Sequence, residues 1–446
     1  MSLLPVFDLK SDQGRSGFSA YLDRLQATVS GQGHSAQAVA RIVQDVTQYG
    51  DEAVVGYMRQ WTDPDFEAQD MRVDAAELAA AESQLDPKLR QAILTSIEHV
   101  RAYQRHIMPT QVKPLRIDGA ELGLRWSAVE RVGLCVPGGT AVLFSTLVML
   151  AVPAQVAGVD SSNISIVSPP PTRCGQESAG QISSLVLATC QMLGITRVYR
   201  IGGAQAVAAL AYGTETVSPV DLIAGPGNVY VQLAKAQVHG VVGTDSGFYG
   251  PSEITVIADG SAEPRRVAAD LLAQAEHDPG KCFLIAWDRE VIDAVCRSME
   301  EQVSHRHRRD AIEKALDTES CALLVADRSA AIDTANAIAC EHLGLAVADP
   351  DDFAARIRHA GELFLGDETP VAAGDYYAGP SHCLPTGTTA RFASGVSVYS
   401  FLKRSGTIAY PSGMSAETID HIVRLAEAEG LDGHAASARA RAEDSP

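Results

Sequence analysis

From Val132 onward, the chain alternates short runs rich in Val, Ile and Leu with longer runs of helical character. VGLCV, NISIVS and VDLIA are strand-like, and a helical run follows each of them. After the loop GFYGPSE the same plan restarts with EITVIAD, CFLIAW, CALLVAD and LGLAVAD. This βαβ alternation predicts an α/β protein in which helices cover parallel sheets. Two modules of similar size suggest a duplication, although no residue-level repeat supports it.

The two ends of the chain have a different texture. Residues 1–34 show only a short amphipathic piece, SAYLDRLQA, and are interpreted as an N-terminal arm of unassigned role. Residues 35–131 are mainly helical runs, one of which should begin with Asp86 as N-cap and Pro87 in its first turn. Residues 397–446 return to helix, as a tail that must dock on its own chain or on a partner.

Composition and charge exclude some classes of function. The 446 residues suffice for two or three domains, and a net charge of −19 disfavours non-specific binding to nucleic acid or an anionic membrane. The eight cysteines form no CxxC pair, so we interpret them as reduced, mostly buried thiols. The most apolar window, Val132–Val159, contains Pro137 and Pro153 and fits a core better than a membrane span. No signal peptide is visible, which predicts a cytoplasmic protein.

The stretch LLAQAEHD, Leu271–Asp278, is the first candidate for chemistry. Gln274 and His277 are three residues apart and should share one face of a last helical turn, before Pro279 and Gly280 end the helix. An imidazole and an amide oxygen at an open helix end suit zinc or a similar divalent ion. The alternative is a solvated or capping histidine.

Three glycine turns follow strand-like runs: Pro137-Gly138-Gly139, Gly202-Gly203-Ala204-Gln205 and Gly225-Pro226-Gly227-Asn228. Such turns place backbone N–H groups and helix N-termini where anions bind, so nucleotide binding is one interpretation. None of the turns is GxGxxG, and tight βα turns of any α/β protein are the alternative.

Further polar residues are candidates for proton transfer or metal binding. Glu341 and His342 precede a strand-like run and can act as two proton-transfer groups, or they form a surface pair at a turn. Asp375, in a polar glycine-rich loop, can ligate a metal or make an Asx-turn. Glu429 and His434 lie in the tail, where solvation is the alternative.

These motifs, in this order, resemble histidinol dehydrogenase from about Val39 to about Arg441. The match rests on VPGGTAVLFSTLVMLAVPAQVAGV, GGAQAVAALAYGTE, GPGNVYVQLAKAQV, GPSEITVIAD, LLAQAEHD, AGDYYAGPSH and LAEAEGLDGH. The resemblance implies two incomplete Rossmann-like modules and a zinc-containing, NAD-dependent homodimer. Its members oxidise an alcohol through an aldehyde to a carboxylate in two hydride transfers, so L-histidinol to L-histidine in histidine biosynthesis is expected here.

The resemblance also assigns roles to individual residues. It implies zinc ligands at Gln274, His277, Asp375 and His434, the last contributed by the neighbouring subunit. It implies substrate contacts at Ser252, His342 and Glu429 together with the zinc ligands, cofactor contacts at Cys135, Gln205 and Asn228, and catalysis by Glu341 and His342. The expected domains are the arm 1–34, a larger α/β domain of 35–131 plus 253–396, an NAD-binding domain 132–252, and the tail 397–446 reaching the partner subunit.

Several neighbours of the site depart from the family pattern. Cys135 replaces a tyrosine, Phe248-Tyr249 replaces a pair ending in a small residue, Ser381 replaces an asparagine, and Cys340 replaces a proline. They leave two alternatives open. One is a paralogue that oxidises another small polar alcohol, such as sulfopropanediol; the other is a homologue that binds a ligand without turnover.

Overall fold

The structure is a computed structural model that describes residues 3–30, 34–138, 143–171, 181–245, 247–277 and 280–442. It contains two compact units. Unit 1 comprises Met1–Ile107 and Glu130–Phe401, and unit 2 comprises Met108–Val129 and Leu402–Pro446. Gly139, Cys174, Asp278 and Pro279, which the sequence singled out, lie outside the described residues.

The elements alternate along the chain as the sequence predicts. The strands are β1 (Val6–Asp8), β2 (Leu115–Ile117), β3 (Ala120–Ala128), β4 (Val132–Cys135), β5 (Ile164–Val167), β6 (Arg197–Tyr199), β7 (Leu222–Ala224), β8 (Gly243–Thr244), β9 (Glu253–Ala258), β10 (Lys281–Ala286), β11 (Cys321–Leu324), β12 (His342–Ala346), β13 (Glu362–Leu365) and β14 (Leu402–Ala409). The helices are α1 (Asp12–Ser30), α2 (His34–Tyr49), α3 (Asp51–Trp61), α4 (Ala75–Ser83), α5 (Pro87–His106), α6 (Phe144–Ala157), α7 (Ser184–Met192), α8 (Gly203–Tyr212), α9 (Val229–Val238), α10 (Pro264–Ala275), α11 (Arg289–Val303), α12 (Arg309–Thr318), α13 (Arg328–Ile338), α14 (Pro350–Ala354), α15 (Val371–Tyr376), α16 (Ala416–Ala428) and α17 (Asp432–Arg439).

The first sheet of unit 1 has five parallel strands in the order β6-β5-β4-β7-β8. The strand order reverses between β4 and β7, and in open α/β sheets ligands bind outside the carboxyl ends of the strands at such a point. Helices α6 to α9 connect the strands. Almost every residue of α6 is buried, because this helix lies in the core. No described helix is long and apolar enough to cross a membrane.

The second sheet of unit 1 has six parallel strands in the order β1-β11-β10-β9-β12-β13. Without the edge strand β1, its order repeats that of the first sheet, which supports the expected two-module α/β fold. Three of its strands are buried throughout, namely β9, β10 and β11. Strands buried on both faces read as continuous apolar runs, which is why the sequence revealed them.

Unit 2 combines an antiparallel sheet with two packed helices. The strand order is β14-β3-β2, and β14 pairs with β3 over eight residues. The helices α16 and α17 share a small core of Ile419, Val423, Ala426, Ala435 and Ala438.

Both ends of the chain differ from the expectation, which was a helical tail over 397–446 and an arm over 1–34 with only a short amphipathic piece. β14 lies in the tail that was expected to be helical, and β1 and α1 lie in the arm. Seven of the eight residues of β14 are exposed, so the strand carries no apolar alternation for sequence analysis to detect. By contrast, α5 begins as predicted, because the Asp86 side chain accepts a hydrogen bond from the Leu89 N–H at 2.9 Å. The seven described cysteines are buried thiols, as expected.

Candidate active site

The adjacent acid and imidazole, Glu341 and His342, are buried where two neighbouring strands begin. Glu341 precedes β12, and its Oε2 accepts hydrogen bonds from the Ser252 hydroxyl at 2.6 Å and from the Glu253 N–H at 2.8 Å. Ser252 and Glu253 stand at the start of β9, which pairs with β12. Glu341 and His342 are therefore not a surface pair. They lie at the amino edge of the second sheet, opposite the carboxyl edge where α/β sites commonly lie.

The two ring nitrogens of His342 have different surroundings. Nδ1 lies 3.1 Å from the Glu253 carbonyl oxygen and 3.4 Å from Glu341 Oε2. Nε2 has no hydrogen-bond partner among the described residues, and the nearest Asp375 oxygen is 3.7 Å away. A carbonyl oxygen only accepts, so Nδ1 carries the proton and Nε2 is the free basic atom of the neutral ring.

Electrostatics favours the charged form of this histidine. Burial opposes ionisation, but the carboxylates of Glu341 and Asp375 outweigh it and raise the pKa of His342 well above its usual value. The contact between His342 and Asp375 also affects the carboxyl group. Burial works to raise the pKa of Asp375, yet His342 holds it below its usual value. Without a further positive charge, the two groups thus form an ion pair.

The predicted metal-binding stretch forms a helix end beside this pair. Gln274 lies in the last turn of α10, whereas His277 lies just beyond the helix and donates its N–H to the Gln274 carbonyl at 3.2 Å. The predicted common helical face is therefore a helix end followed by a turn. Gly280 follows, and a Cβ there would overlap the Gln274 carbonyl. Gln274 is buried, and its Nε2 lacks a partner in the described part of the chain.

Asp375 lies in the short helix α15, so it is not the Asx-turn residue of a loop. Its carbonyl oxygen is held by Nδ1 of the half-buried His382 at 2.8 Å, and Nε2 of His382 lies 3.0 Å from the Thr146 hydroxyl on α6. Sequence analysis did not assign His382 a role, although it stands in the same AGDYYAGPSH motif as Asp375. Burial lowers the pKa of His382, which favours the neutral ring.

The donor set within unit 1 is of a kind that zinc accepts. It comprises the amide oxygen of Gln274, the imidazole of His277 and the carboxylate of Asp375, which together are nitrogen and oxygen ligands. Across residues 3–442, outside the undescribed gaps, no three His, Cys, Asp or Glu side chains form a cluster that could hold a metal. Within unit 1, only two of the expected zinc ligands, His277 and Asp375, are His, Cys, Asp or Glu residues. Glu429 and His434 belong to unit 2 and are exposed.

The second candidate region is the carboxyl edge of the first sheet, at the reversal between β4 and β7. Asn228 caps α9, since its Oδ1 accepts hydrogen bonds from the N–H groups of Tyr230 at 3.0 Å and Val231 at 3.2 Å. Gln205 lies in the first turn of α8, and its buried Oε1 has no partner among the described residues. A glycine turn, a capped helix N-terminus and an amide oxygen that can accept a hydrogen bond fit a dinucleotide. Cys135 ends β4, and burial raises the pKa of its thiol to about 12, so the thiol stays protonated.

Three of the remaining departures from the family pattern are accommodated inside the protein. Tyr249 is buried, and its hydroxyl donates to the Ser394 carbonyl at 3.0 Å. The Cys340 thiol donates to the His342 carbonyl at 3.1 Å, and the Ser381 hydroxyl accepts from the Cys383 N–H at 3.2 Å. Phe248 is half-buried, and its ring lies against Gly250.

Two acids near His342 were not found from the sequence, the buried Glu253 and the half-buried Glu362. Glu362 pairs in register with His342 across β12 and β13, and burial raises its pKa to about 7. Burial likewise raises the pKa of Glu253 to about 7, against the opposing effect of Lys281. Glu253 stands in the GPSEITVIAD motif, from which only Ser252 was assigned a role, and Glu362 stands in none of the quoted motifs. Only the pairing of the strands reveals that both adjoin the site.

A buried acid and imidazole beside a nitrogen–oxygen donor set, in a protein whose parallel sheet has the strand order of dinucleotide-binding folds, define an α/β oxidoreductase.

The family model described as histidinol dehydrogenase matches residues 26–442. Among curated relatives, histidinol dehydrogenase from a Synechococcus species is 45% identical over 92% of each chain. The one from Rhodospirillum rubrum is 43% identical over 93% of this chain and 95% of its own. A crystal structure of histidinol dehydrogenase from Elizabethkingia anophelis superposes with a TM-score of 0.88 at 31% identity, covering 99% of both chains. The chain belongs to the histidinol dehydrogenase family.

Proposed function

We propose that the protein oxidises L-histidinol through the aldehyde to L-histidine, in two hydride transfers to NAD⁺. The observation that carries the proposal is the buried His342, whose Nε2 faces Asp375 and has no hydrogen-bond partner in the described part of the chain. Family membership, with about 45% identity to a relative named histidinol dehydrogenase, supports this substrate over other polar alcohols. The product belongs to histidine biosynthesis.

His342 takes the proton of the substrate alcohol on Nε2 while hydride leaves the carbon. Because Nδ1 donates to the Glu253 carbonyl, the ring is held with Nε2 available. When Asp375 is engaged as a ligand, its negative charge stabilises the imidazolium less. The pKa of His342 then falls towards the range in which the ring accepts a proton.

Glu341 activates the water that attacks the aldehyde carbon in the second oxidation. The Ser252 hydroxyl and the Glu253 N–H donate to its Oε2 and fix the position of the carboxylate. The other carboxylate oxygen, Oε1, remains to accept the proton of the water. Burial of the site protects the aldehyde between the two steps.

We propose zinc at Gln274, His277, Asp375 and the His434 of a neighbouring subunit. When bound, zinc orients the substrate and polarises its ligating atoms. Ser252 and Glu429 contact the substrate together with these ligands. NAD⁺ binds at the carboxyl edge of the first sheet, within residues 132–252, with Cys135, Gln205 and Asn228 as contacts.

We also propose that the protein is a homodimer in which unit 2 reaches the partner subunit. Large apolar side chains are exposed on unit 2, among them Leu115, Ile117, Ile408 and Leu425. Ile408 and Leu425 are 75% and 70% exposed, and such surface is commonly covered by a partner. A cytoplasmic location agrees with the free cysteines, since thiols persist under reducing conditions.

The test follows NADH formation by the zinc-loaded protein with L-histidinol, and separately with sulfopropanediol as the matched control alcohol. We expect turnover of L-histidinol with about two NADH per substrate, because two hydrides leave in sequence. Turnover of the sulfonate alone would contradict the substrate assignment. Zinc binding without NADH from any alcohol would show a binding protein.

A further inference from the structure

A buried lysine–aspartate pair lies beneath the glycine turn at the reversal point of the first sheet. Lys235 on α9 and Asp245 after β8 are joined by an ion pair of 2.5 Å, and their side chains are 4% and 1% exposed. A charge pair removed from water gains little net stability compared with an apolar pair of the same size. Stability alone therefore does not explain why this ion pair is buried here.

Both members of the pair bind the same residue of the turn. Lys235 Nζ donates to the Gly225 carbonyl at 2.9 Å, and Asp245 Oδ2 accepts from the Gly225 N–H at 2.8 Å. Gly225 has a φ of +115°, and a Cβ there would overlap the Cys135 carbonyl. This left-handed backbone, in contact with the end of β4, is therefore held at its N–H and at its carbonyl by opposite charges.

Gln232, one helical turn before Lys235 on α9, contacts Gly227 of the same glycine turn and Tyr249. Gln232 Nε2 donates to the Tyr249 carbonyl at 3.1 Å and contacts the Gly227 carbonyl at 3.5 Å, while its Oε1 accepts from the Tyr249 N–H at 3.3 Å. Lys235 Nζ also lies 5.1 Å from the centre of the Tyr249 ring. Tyr249 stands three residues before Ser252, which donates to Glu341.

We propose that Lys235 and Asp245 are positioning residues that hold the Gly225–Asn228 turn in the shape that NAD⁺ binds, and that Gln232 ties this turn to the Ser252 segment. The inference rests on the proposed assignment of NAD⁺ to this turn. Both side chains are buried and bind Gly225, so the pair acts through the backbone of that residue.

The test uses the double variant Lys235→Met/Asp245→Asn, which removes both charges and leaves no unpaired one. The amide at position 245 still accepts from the Gly225 N–H, whereas the methionine no longer donates to the carbonyl. Lys314→Met, on the exposed face of α12, is the matched control. Hydrogen–deuterium exchange is measured on the proteins without cofactor, and NAD⁺ affinity by fluorescence titration.

We expect faster exchange over residues 222–231 in the double variant, unchanged exchange over 281–286 in β10, and a dissociation constant for NAD⁺ raised about tenfold. The Michaelis constant for the alcohol, measured at saturating NAD⁺, should stay within about twofold. A lower melting temperature with unchanged exchange at the turn and unchanged NAD⁺ affinity would overturn the inference.

If the double variant does not fold, the single variant Gln232→Leu still tests whether α9 holds the Gly225–Asn228 turn. It should accelerate exchange over both 222–231 and 247–253, and unchanged exchange in both would overturn the tie. A wild-type protein that fails to bind NAD⁺ would overturn the proposed cofactor, while the exchange data would still decide whether the pair holds the turn.

Discussion

At the scale of single residues, the two adjacent groups Glu341 and His342 acquire different roles from their contacts. Glu341 receives two hydrogen bonds on one oxygen, which fix the position of its carboxylate. His342 donates from one nitrogen, and its other nitrogen has no hydrogen-bond partner among the residues that the structure describes. An acid and a base with separate tasks therefore arise from neighbouring positions in the chain.

His342→Ala removes the atom that accepts the alcohol proton. We expect kcat with L-histidinol to fall by about a thousandfold, the usual contribution of a general base. The zinc content, measured by atomic emission, should not change, because His342 is not one of the proposed ligands. Loss of zinc together with activity would instead make His342 a ligand.

Glu341→Gln keeps the shape of the side chain but cannot accept a proton from water. We expect the oxidation of added L-histidinal to fall by at least about a hundredfold, whereas hydride transfer from the alcohol in a single turnover is less affected. Stopped-flow measurement of NADH separates the two steps. Equal loss in both steps would remove the proposed division of roles.

Tyr249→Ala restores the small residue that the family pattern has at this position. The ring is buried, so its removal leaves a cavity, and we expect about 3 kcal/mol less stability in urea unfolding. Tyr249→Phe, the control, loses only the hydrogen bond to Ser394 and should cost about 1 kcal/mol. A change of preferred alcohol in Tyr249→Ala would show that the ring shapes the substrate pocket after all.

At the scale of elements, the start of β9 brings a buried carboxyl group beside the site. Burial raises the pKa of Glu253 to about 7, above its value in an unfolded chain. The folded protein thus binds this proton more tightly than the unfolded chain does. Between about pH 4.5 and pH 7 the group ionises more readily when the chain is unfolded, so its contribution to stability falls as the pH rises.

Glu253→Gln should therefore gain stability relative to the wild type as the pH rises from 5 to 8. The new amide oxygen still accepts from the Gly387 N–H, which Glu253 Oε1 now binds at 3.0 Å. We expect the difference between variant and wild type to move by about 1–3 kcal/mol across this range, measured by urea unfolding. Asp86→Ala at the start of α5 is the control, and its effect of about 1 kcal/mol should not depend on pH in this way. A difference that stays constant with pH would place the pKa of Glu253 below this range.

At the scale of the whole molecule, the proposed site needs residues from both units, and its unit 2 residues are proposed to come from a second subunit. His342→Ala and His434→Ala should each be inactive as homodimers. If subunits are mixed by unfolding and refolding, half of the dimers are hybrids, and each hybrid has one intact site. We expect about a quarter of the wild-type activity to return.

The control is mixing His342→Ala with Glu341→Gln, both in unit 1, which should restore nothing. If His434 served its own subunit, every hybrid site would carry one defect and no activity would return. A chain that remains monomeric in analytical ultracentrifugation would likewise contradict the shared site.

Much of the fold was predictable from the sequence, because strands buried on both faces leave continuous apolar runs, as in β9 to β11. The candidate residues were found because their types stand in short motifs, as with Gln274 and His277 or Asp375. Exposed elements such as β14 left no such trace. The half-buried Glu362 stands outside the quoted motifs, and the GPSE motif did not by itself show that Glu253 is buried beside His342.

The sequence by itself determined the α/β class, the family and the residue types that carry the chemistry. Only the tertiary structure decided that Glu341 and His342 lie at the amino edge of their sheet, which nitrogen of His342 is free, and that Lys235 and Asp245 meet beneath Gly225. The physical reason is that apolar periodicity and motifs are local along the chain. Hydrogen bonds and burial instead depend on residues brought together by the pairing of distant strands, as when Ser252 meets Glu341.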